Sequence, residues 1–451
     1  MKSELQYMKE IVIIGNGIAG ITAARHIRKR SDHRIIVISA ETDHFFSRTA
    51  LMYVYMGHMK YKHIKPYEDW FWDKNRIELL RDYVGKVDFG NKKLHLQKGG
   101  WVSYDQLILA TGSKSNFFDW PGQDLTGVQG LFSYQDLEKM EDNTVNVKEA
   151  VVVGGGLIGI EMAEMLLSRN IKVTFLVREN SFWNNVLPQE ESEMINRHIL
   201  RHHVDLRLET ELKAINGNEY GRVTDVITNK DEHIPCQFVG ITVGVHPNVG
   251  FLRNTDLEID KGILVDDYLQ TNIPDVFAIG DCAQVRKPKA GRKPIEPVWY
   301  TGRIMGHTLA KTLTGEKTPY NPGNWFNSAK FFDIEYQVYG EIKNNPDEAV
   351  DHLFWMHKDG EKSIRIAFDK KSRRVLGFNL MGVRYRHEIC DQWINEEARI
   401  EEILPDLKAA NFDPEFYSAY EKALVEQFNK RFPEHQVTLK TKRGLFSTFF
   451  N

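Results

Sequence analysis

Cysteine is scarce in this sequence. The 451 residues contain three, Cys236, Cys282 and Cys390, far apart and without a CxxC pair. That pattern argues against a disulfide-stapled scaffold and favours a reducing, cytoplasmic setting. Long apolar runs are missing as well: no window approaches the roughly 18 uncharged residues that a membrane helix needs. An excess of either charge is also missing, since 59 Lys and Arg face 62 Asp and Glu, for a net charge of -3. No basic field marks nucleic acid as a partner. The polar start Met1–Glu10 does not read as a signal peptide. What is present is the composition of a globular protein, 42% hydrophobic and 27% charged, long enough for two or three domains.

The most informative feature is a repeat. Lys9–Ile14 is a β-branched run that leads into Gly15-Asn16-Gly17-Ile18-Ala19-Gly20. Glu149–Val153 leads in the same way into Gly154-Gly155-Gly156-Leu157-Ile158-Gly159. A helical pattern and a second apolar strand follow each, ending at Arg34–Ile38 and Lys172–Val177. Two βαβ units with GxGxxG turns are therefore expected, each a dinucleotide-binding start. In such a turn the first glycine permits the bend and the second lets backbone approach a pyrophosphate. The third lets helix and strand pack closely. The pyrophosphate then rests on the exposed N–H groups at the helix start.

Further strands are expected at Tyr104–Gly112, at Cys236–Val243 before Gly244, and at Val276–Ile279 before Gly280-Asp281. Beyond about Tyr320 the pattern changes to antiparallel strands at Phe331–Tyr339, His352–Met356, Ser363–Phe368 and Val375–Met381. Helices are expected over Glu396–Ala409, with Pro405 as a break, and over Pro414–Phe432.

In order and spacing, residues 9 to 340 resemble the flavoprotein reductases with two dinucleotide-binding domains that are related to glutathione reductase. Within that group the chain looks most like ferredoxin and rubredoxin reductases, monodehydroascorbate reductase and apoptosis-inducing factor. The resemblance implies an α/β fold of two Rossmann-like domains with an α+β C-terminal interface domain. FAD would occupy residues 1–118 and 246–320, NAD(P) residues 119–245, and the interface domain residues 321–451. It implies that Gly15, Gly17, Ile18, Ala19 and Gly20 hold FAD, with Glu41 on the adenosine ribose. Ala110-Thr111-Gly112 matches the family's ATG turn, and Gly280-Asp281 its second FAD motif, where Asp281 accepts from the ribityl chain. Phe46-Ser47-Arg48-Thr49-Ala50-Leu51 resembles the segment beside the flavin, although Thr49 replaces the usual proline and Tyr53 stands where many relatives carry lysine. There Arg48 would lie by the isoalloxazine or the pyrophosphate; its plainer reading is a surface arginine. No cysteine lies in Thr42–Gly57, so the reactive thiol of the disulfide-reducing relatives is missing. Trp299 matches a tryptophan that covers the flavin, or else is a plain core residue.

For the second nucleotide the resemblance implies Gly154, Gly156, Leu157, Ile158 and Gly159 at the pyrophosphate. It places Glu161 toward the nicotinamide; the structural alternative is an ordinary carboxylate in the first helical turn. Gly244 joins the cofactor-binding candidates. Arg178 favours a 2′-phosphate and Glu179 opposes it, which leans the choice to NADH. His198 and His202 stand four apart on an expected helix, a spacing metals use, with His203 beside them. Without a companion acidic motif they read as core or solvated histidines, and no metal is expected. The basic run Arg286–Lys293 reads as a solvated loop, or as a surface that steers an acidic redox partner.

The expected activity is NAD(P)H oxidation through FAD to a separate acceptor, an iron–sulfur, rubredoxin-like or haem protein. Such an enzyme needs no strong acid or base, because the cofactors carry the chemistry. The other readings are a quinone reductase that touches the membrane through Leu445–Phe450 and a slow redox sensor of the apoptosis-inducing-factor type. The resemblance also allows a homodimer.

Overall fold

The structure is a computed structural model that describes residues 8–412 and 418–440. The chain divides into two compact units, one of Met1–Arg178 with Glu209–Pro322, the other of Glu179–Leu208 with Gly323–Asn451.

The first unit contains both repeats. Strand Glu10–Ile14 lies at the centre of a parallel sheet between Arg34–Ser39 and Gln106–Leu109. Ile77–Arg81 and Val276–Ala278 close its two sides. Strand Glu149–Val153 lies in the same way between parallel neighbours Lys172–Leu176 and Phe238–Ile241. The central strands are apolar because helices or loops cover both sheet faces, which leaves no solvent side for alternation. Ile11, Val12, Ile13, Val151 and Val152 are wholly buried. Helix Ile18–Arg28 is crossed by helix Trp299–Leu313 at small residues. A Cβ on Gly306 would come within 2.5 Å of the Ala19 carbonyl oxygen, so the crossing depends on that glycine.

The second unit is built on a five-stranded antiparallel sheet, Phe326–Phe331, Ile334–Gly340, Val375–Met381, Ser363–Asp369 and Val350–Met356 in spatial order. The expected single strand Phe331–Tyr339 is thus a hairpin, with Phe331 paired to Ile334 across the two-residue turn Phe332-Asp333. Asp333 is the one turn-favouring residue there, and without Gly, Pro or Asn beside it the two apolar runs read as continuous. Helix His387–Asn395 was not expected. The next helix starts only at Ile400, where Arg399 is the N-cap and the Glu402 carboxylate accepts from its backbone N–H. Pro405 lies inside that helix, which ends at Asp406, and the last helix runs over Glu421–Arg431. The expected start of that last helix at Pro414 and the aromatic tail Leu445–Phe450 lie outside the described residues.

The segment Glu179–Leu208 belongs to this unit for a specific reason. Glu191, on helix Gln189–Arg201, is fully buried and accepts from Arg365 Nε at 2.7 Å and Nη2 at 2.8 Å. Asn379 also donates to Glu191, while Glu190 accepts from Arg365 Nη2. The His352 ring accepts from Arg365 Nη1, and burial followed by the Arg365 charge lowers its pKa to about 4. Breaking such a pair strands a buried charge, which costs about 3–5 kcal/mol. Glu191→Ala is therefore expected to lower the stability of this unit by about that amount in urea unfolding followed by circular dichroism. A loss below about 1 kcal/mol would mean that Glu190 alone can hold the guanidinium.

Candidate functional site

The two glycine turns have the same geometry, and that geometry explains their spacing. Gly15 and Gly154 take φ of +112° and +110°, which only glycine adopts readily. A Cβ on Gly15 would lie 2.1 Å from the Ala110 carbonyl oxygen, and one on Gly154 2.7 Å from that of Thr242. The third glycine of each turn closes the helix onto the first: a Cβ on Gly20 would meet the Gly15 oxygen at 2.1 Å, and one on Gly159 the Gly154 oxygen at 2.4 Å. The second glycine of each faces open space, with nothing within 4 Å of a Cβ on Gly17 or Gly156. These two are also the N-caps of helices Ile18–Arg28 and Leu157–Ser168. Each repeat therefore offers an open backbone cradle at a helix N-terminus, a setting that suits a pyrophosphate.

The first cradle opens into a cavity of about 810 Å³, at the upper end of the range for ligand pockets. Gly15, Gly17, Ile18, Ala19, Glu41, Arg48, Ala110, Thr111, Gly112, Gly280 and Asp281 all line it. Gly20 does not, since it faces the turn behind. Glu41 and Arg48 form a two-pronged ion pair, with Nη1 to Oε1 at 2.8 Å and Nη2 to Oε2 at 2.6 Å. The backbone N–H of Tyr134 also donates to Glu41 Oε1 at 2.8 Å. Arg48 donates in addition to the Phe132 carbonyl, and its guanidinium lies 4.6 Å from the Phe132 ring centre. It is not a free surface arginine. Its pairing leaves Glu41 with lone-pair capacity for one further donor.

Asp281 sits at the far side of the cavity and accepts from the Ser113 hydroxyl at 3.0 Å. Burial raises the Asp281 pKa above the ordinary carboxylate value, opposed by Ser113 and by the Arg48 charge. A half-buried carboxylate that faces the cavity is a ready acceptor for a ligand hydroxyl. Thr111 and Asn248 tie the floor together through Thr111 Oγ1 to the Asn248 carbonyl at 2.8 Å.

Several lining residues carried no signal in the sequence. Asn16 fills the variable place between two glycines, and its buried amide donates to the Thr42 carbonyl at 2.8 Å. Ser113, Lys139, His246 and Asn248 also line the cavity. They are single polar residues of two short strands (Ser113–Ser115 and Val245–Pro247), a helix (Tyr134–Asn143) and a loop, and only the folded chain brings them together.

Other expected site residues do not line this cavity. Tyr53, Gly154, Gly156, Leu157, Ile158, Gly159, Glu161, Arg178, Gly244 and Trp299 all lie elsewhere in the first unit, and Glu179 belongs to the second. Tyr53 stacks against His58. Trp299 opens its helix, with the Arg303 guanidinium 5.6 Å from its ring centre. Glu161 is partly buried, and burial together with neighbouring Glu164 pushes its pKa up to about 7. In the basic run, Arg292 is buried in an ion pair with Glu296, and Arg286 pairs with Glu258. Those two charges are neutralised locally rather than displayed.

The thiols offer no nucleophile. Cys236, Cys282 and Cys390 are all wholly buried and unbridged. Burial raises the pKa of each, that of Cys236 to about 12. No helix among the described residues is long and apolar enough to cross a membrane.

Comparison with known proteins agrees with this geometry. A nitrite reductase [NAD(P)H] of Bacillus subtilis (strain 168) is 27% identical over 399 residues, 87% of this chain. This chain spans about half (48%) of that protein's length. The rhodocoxin reductase of Rhodococcus erythropolis is 31% identical over 71% of this chain and 76% of its own. In fold, the chain is similar to the ferredoxin reductase for the CYP199A2 system from Rhodopseudomonas palustris. That structure has a TM-score of 0.75 and 24% identity, and the match covers 83% of this chain and 91% of the other. Residues 9–306 match the family described as pyridine nucleotide-disulphide oxidoreductase. The chain belongs to that family and is one of its FAD-dependent NAD(P)H oxidoreductases.

Proposed function

We propose that the chain carries electrons from NADH, by way of FAD in the 810 Å³ cavity, to a separate iron–sulfur protein. One observation supports this above the others: the glycine turn of each repeat has the same open cradle, while every thiol is buried. A member of this family with two nucleotide cradles and no accessible thiol must hand its electrons to something outside itself. The similarity to a rhodocoxin reductase favours a small redox protein as that acceptor. We assign residues 1–118 and 246–320 to FAD, 119–245 to the nicotinamide nucleotide and 321–451 to a C-terminal interface domain. The reading further includes a cytoplasmic location and a homodimer.

The residues that line the cavity fit the flavin nucleotide. Gly17, Ile18 and Ala19 would present N–H groups at the helix start to its pyrophosphate, with Gly15 shaping the turn and Gly20 packing the helix against it. Glu41, held by Arg48, would take the adenosine ribose, and Asp281 the ribityl chain. Ala110, Thr111, Gly112 and Gly280 would form the walls. Bound there, FAD supplies hydride acceptance from reduced nicotinamide. Gly154, Gly156, Leu157, Ile158 and Gly159 would hold the second pyrophosphate, and Gly244 would border it. Arg178 and Glu179 would meet the adenosine ribose, where the carboxylate disfavours a 2′-phosphate. Glu161, Tyr53 and Trp299 would orient the nicotinamide and exclude water.

Anaerobic mixing with NADH or NADPH, followed by stopped-flow loss of flavin absorbance, tests the reading. Rapid bleaching by NADH and slower bleaching by NADPH are expected; bleaching by neither, with FAD bound, rejects it. Asp281→Ala should weaken FAD retention by roughly 10- to 100-fold, the loss of a hydrogen bond to a charged acceptor, as measured by flavin content after dialysis.

Glu161 generates a pH prediction. Its native pKa of about 7 lies above the ordinary 4.5, so the folded chain holds this proton more tightly than the unfolded chain does. The stability it contributes is full below pH 4.5 and is lost as pH rises through 7. Melting midpoints of the wild type should therefore fall over that window more steeply than those of Glu161→Gln. Parallel curves would show that the carboxyl titrates as an ordinary surface acid.

A further inference from the structure

We propose that His198, His202 and Asp333 form a binding site for one divalent transition-metal ion of the zinc class, within the C-terminal unit and independent of the flavin chemistry. The single metal-compatible group among the described residues is this one, with all three ligand atoms within 4.8 Å of one another. His198 and His202 lie one helical turn apart at the end of helix Gln189–Arg201, so their rings face the same way. Asp333 comes from the hairpin turn more than 130 residues later in the chain, and its Oδ1 lies 2.6 Å from His198 Nε2 and 3.1 Å from His202 Nε2.

Ligand atoms around a tetrahedral zinc ion, bonded at about 2.0–2.1 Å, lie roughly 3.3 Å apart. The two Asp333 distances lie within about 1 Å of that spacing, and the ligand nitrogens of the two histidines lie within 4.8 Å of each other, so small side-chain adjustments on both sides would close the group around an ion. The two imidazoles and one carboxylate are the nitrogen and oxygen donors that zinc takes. The site has an inner and an outer side. The His198 side chain is 3% exposed and that of Asp333 is 70% exposed, so one ligand is fixed in the protein while the other faces solvent. Water can enter on that side and complete the coordination.

The turn that delivers Asp333 is also unusual. Phe332 takes φ of +55°, in a tight hairpin position where Gly or Asn is the usual choice. Its ring lies 4.2 Å from that of His202 at an interplanar angle of 14°. The Phe332 ring thus holds the outer imidazole in the plane it needs. His203, with φ of +60°, has turned out of the helix and is not part of the group. An ion here would join the end of the helix to the first hairpin of the sheet. The same helix is already tied by the buried Glu191–Arg365 pair to strand Ser363–Asp369 in the sheet's interior. Metal binding would then add directly to the stability of this unit.

The test uses the full-length, tag-free flavoprotein stripped with chelator. Zinc uptake is measured by equilibrium dialysis, and cobalt(II) is titrated as an optical probe. The comparison is with His202→Ala, Asp333→Asn and the double variant, with flavin content checking that each is folded. His198 is left intact because its burial makes it a risk to folding. The wild type should take up one equivalent of zinc more than the double variant, and each single variant should weaken binding more than about 100-fold. That exceeds the roughly 10–100-fold effect of losing an outer partner. Zinc should raise the melting midpoint of the wild type and leave the double variant unchanged. Equal uptake or equal melting shifts in wild type and double variant would overturn the site, leaving Asp333 as a plain hydrogen-bond acceptor between two rings.

Discussion

The first unit depends on one close approach, made twice: the start of a helix is pressed against the carbonyl of the turn that precedes it. At Gly20 and Gly159 there is no room for a single carbon atom between helix and turn. This contact aims the free N–H groups of the helix start outward, past Gly17 and Gly156, into open space. A side chain at the third glycine would push the helix away and turn those donors aside. The apolar strands and the small-residue crossing at Ala19 and Gly306 keep the helix from relaxing. Much of this unit's packing serves to hold two backbone surfaces bare.

That economy of side chains explains why this part of the fold was legible. Backbone geometry that only glycine permits leaves glycine in the sequence, and parallel strands covered on both faces leave β-branched runs. Glu41, Asp281 and Ala110-Thr111-Gly112 were legible through the family resemblance, whose motifs they match in order and spacing. The rest of the cavity was not. Asn16 and Asn248 reach it from loops and Ser113 and His246 from strands of three residues, where a polar residue is unremarkable and the element is too short for a periodicity to record which way it points. The role of Arg48 was visible only in part, because its pairing with Glu41 depends on how a loop folds back.

In the second unit the failures have a different cause. Its hairpin at Phe332-Asp333 uses a strained aromatic residue where a turn signal would be expected. Its inner polar network joins Glu191 to Arg365 across more than 170 residues of sequence. Neither the turn nor the pairing follows from local propensity, since both depend on tertiary contacts that outweigh it. The same applies to His198 and His202. Their spacing alone could not separate a ligand pair from two ordinary helix residues, and the residue that decides, Asp333, lies beyond any local window.

The family to which the chain belongs is named for disulphides, yet its own thiols point away from that chemistry. A thiol needs access and a thiolate fraction to exchange electrons with a disulfide. Cys236, with a pKa near 12 and no exposure, has neither, and Cys282 and Cys390 are buried as deeply. Cys282 is instead a packing residue, its sulfur 3.4 Å from the carbonyl oxygens of Leu109 and Ile279 in the floor beneath Asp281. The cavity side of that floor is carboxylate and hydroxyl, suited to binding rather than to covalent exchange. Without an internal thiol relay, the glycine cradles supply the part that nucleotides share, a seat for a pyrophosphate, and discrimination is left to side chains around them. The cradles are fixed by glycine and are tolerant of little. Exposed side chains elsewhere can change without disturbing either cradle, so one core can carry different functions.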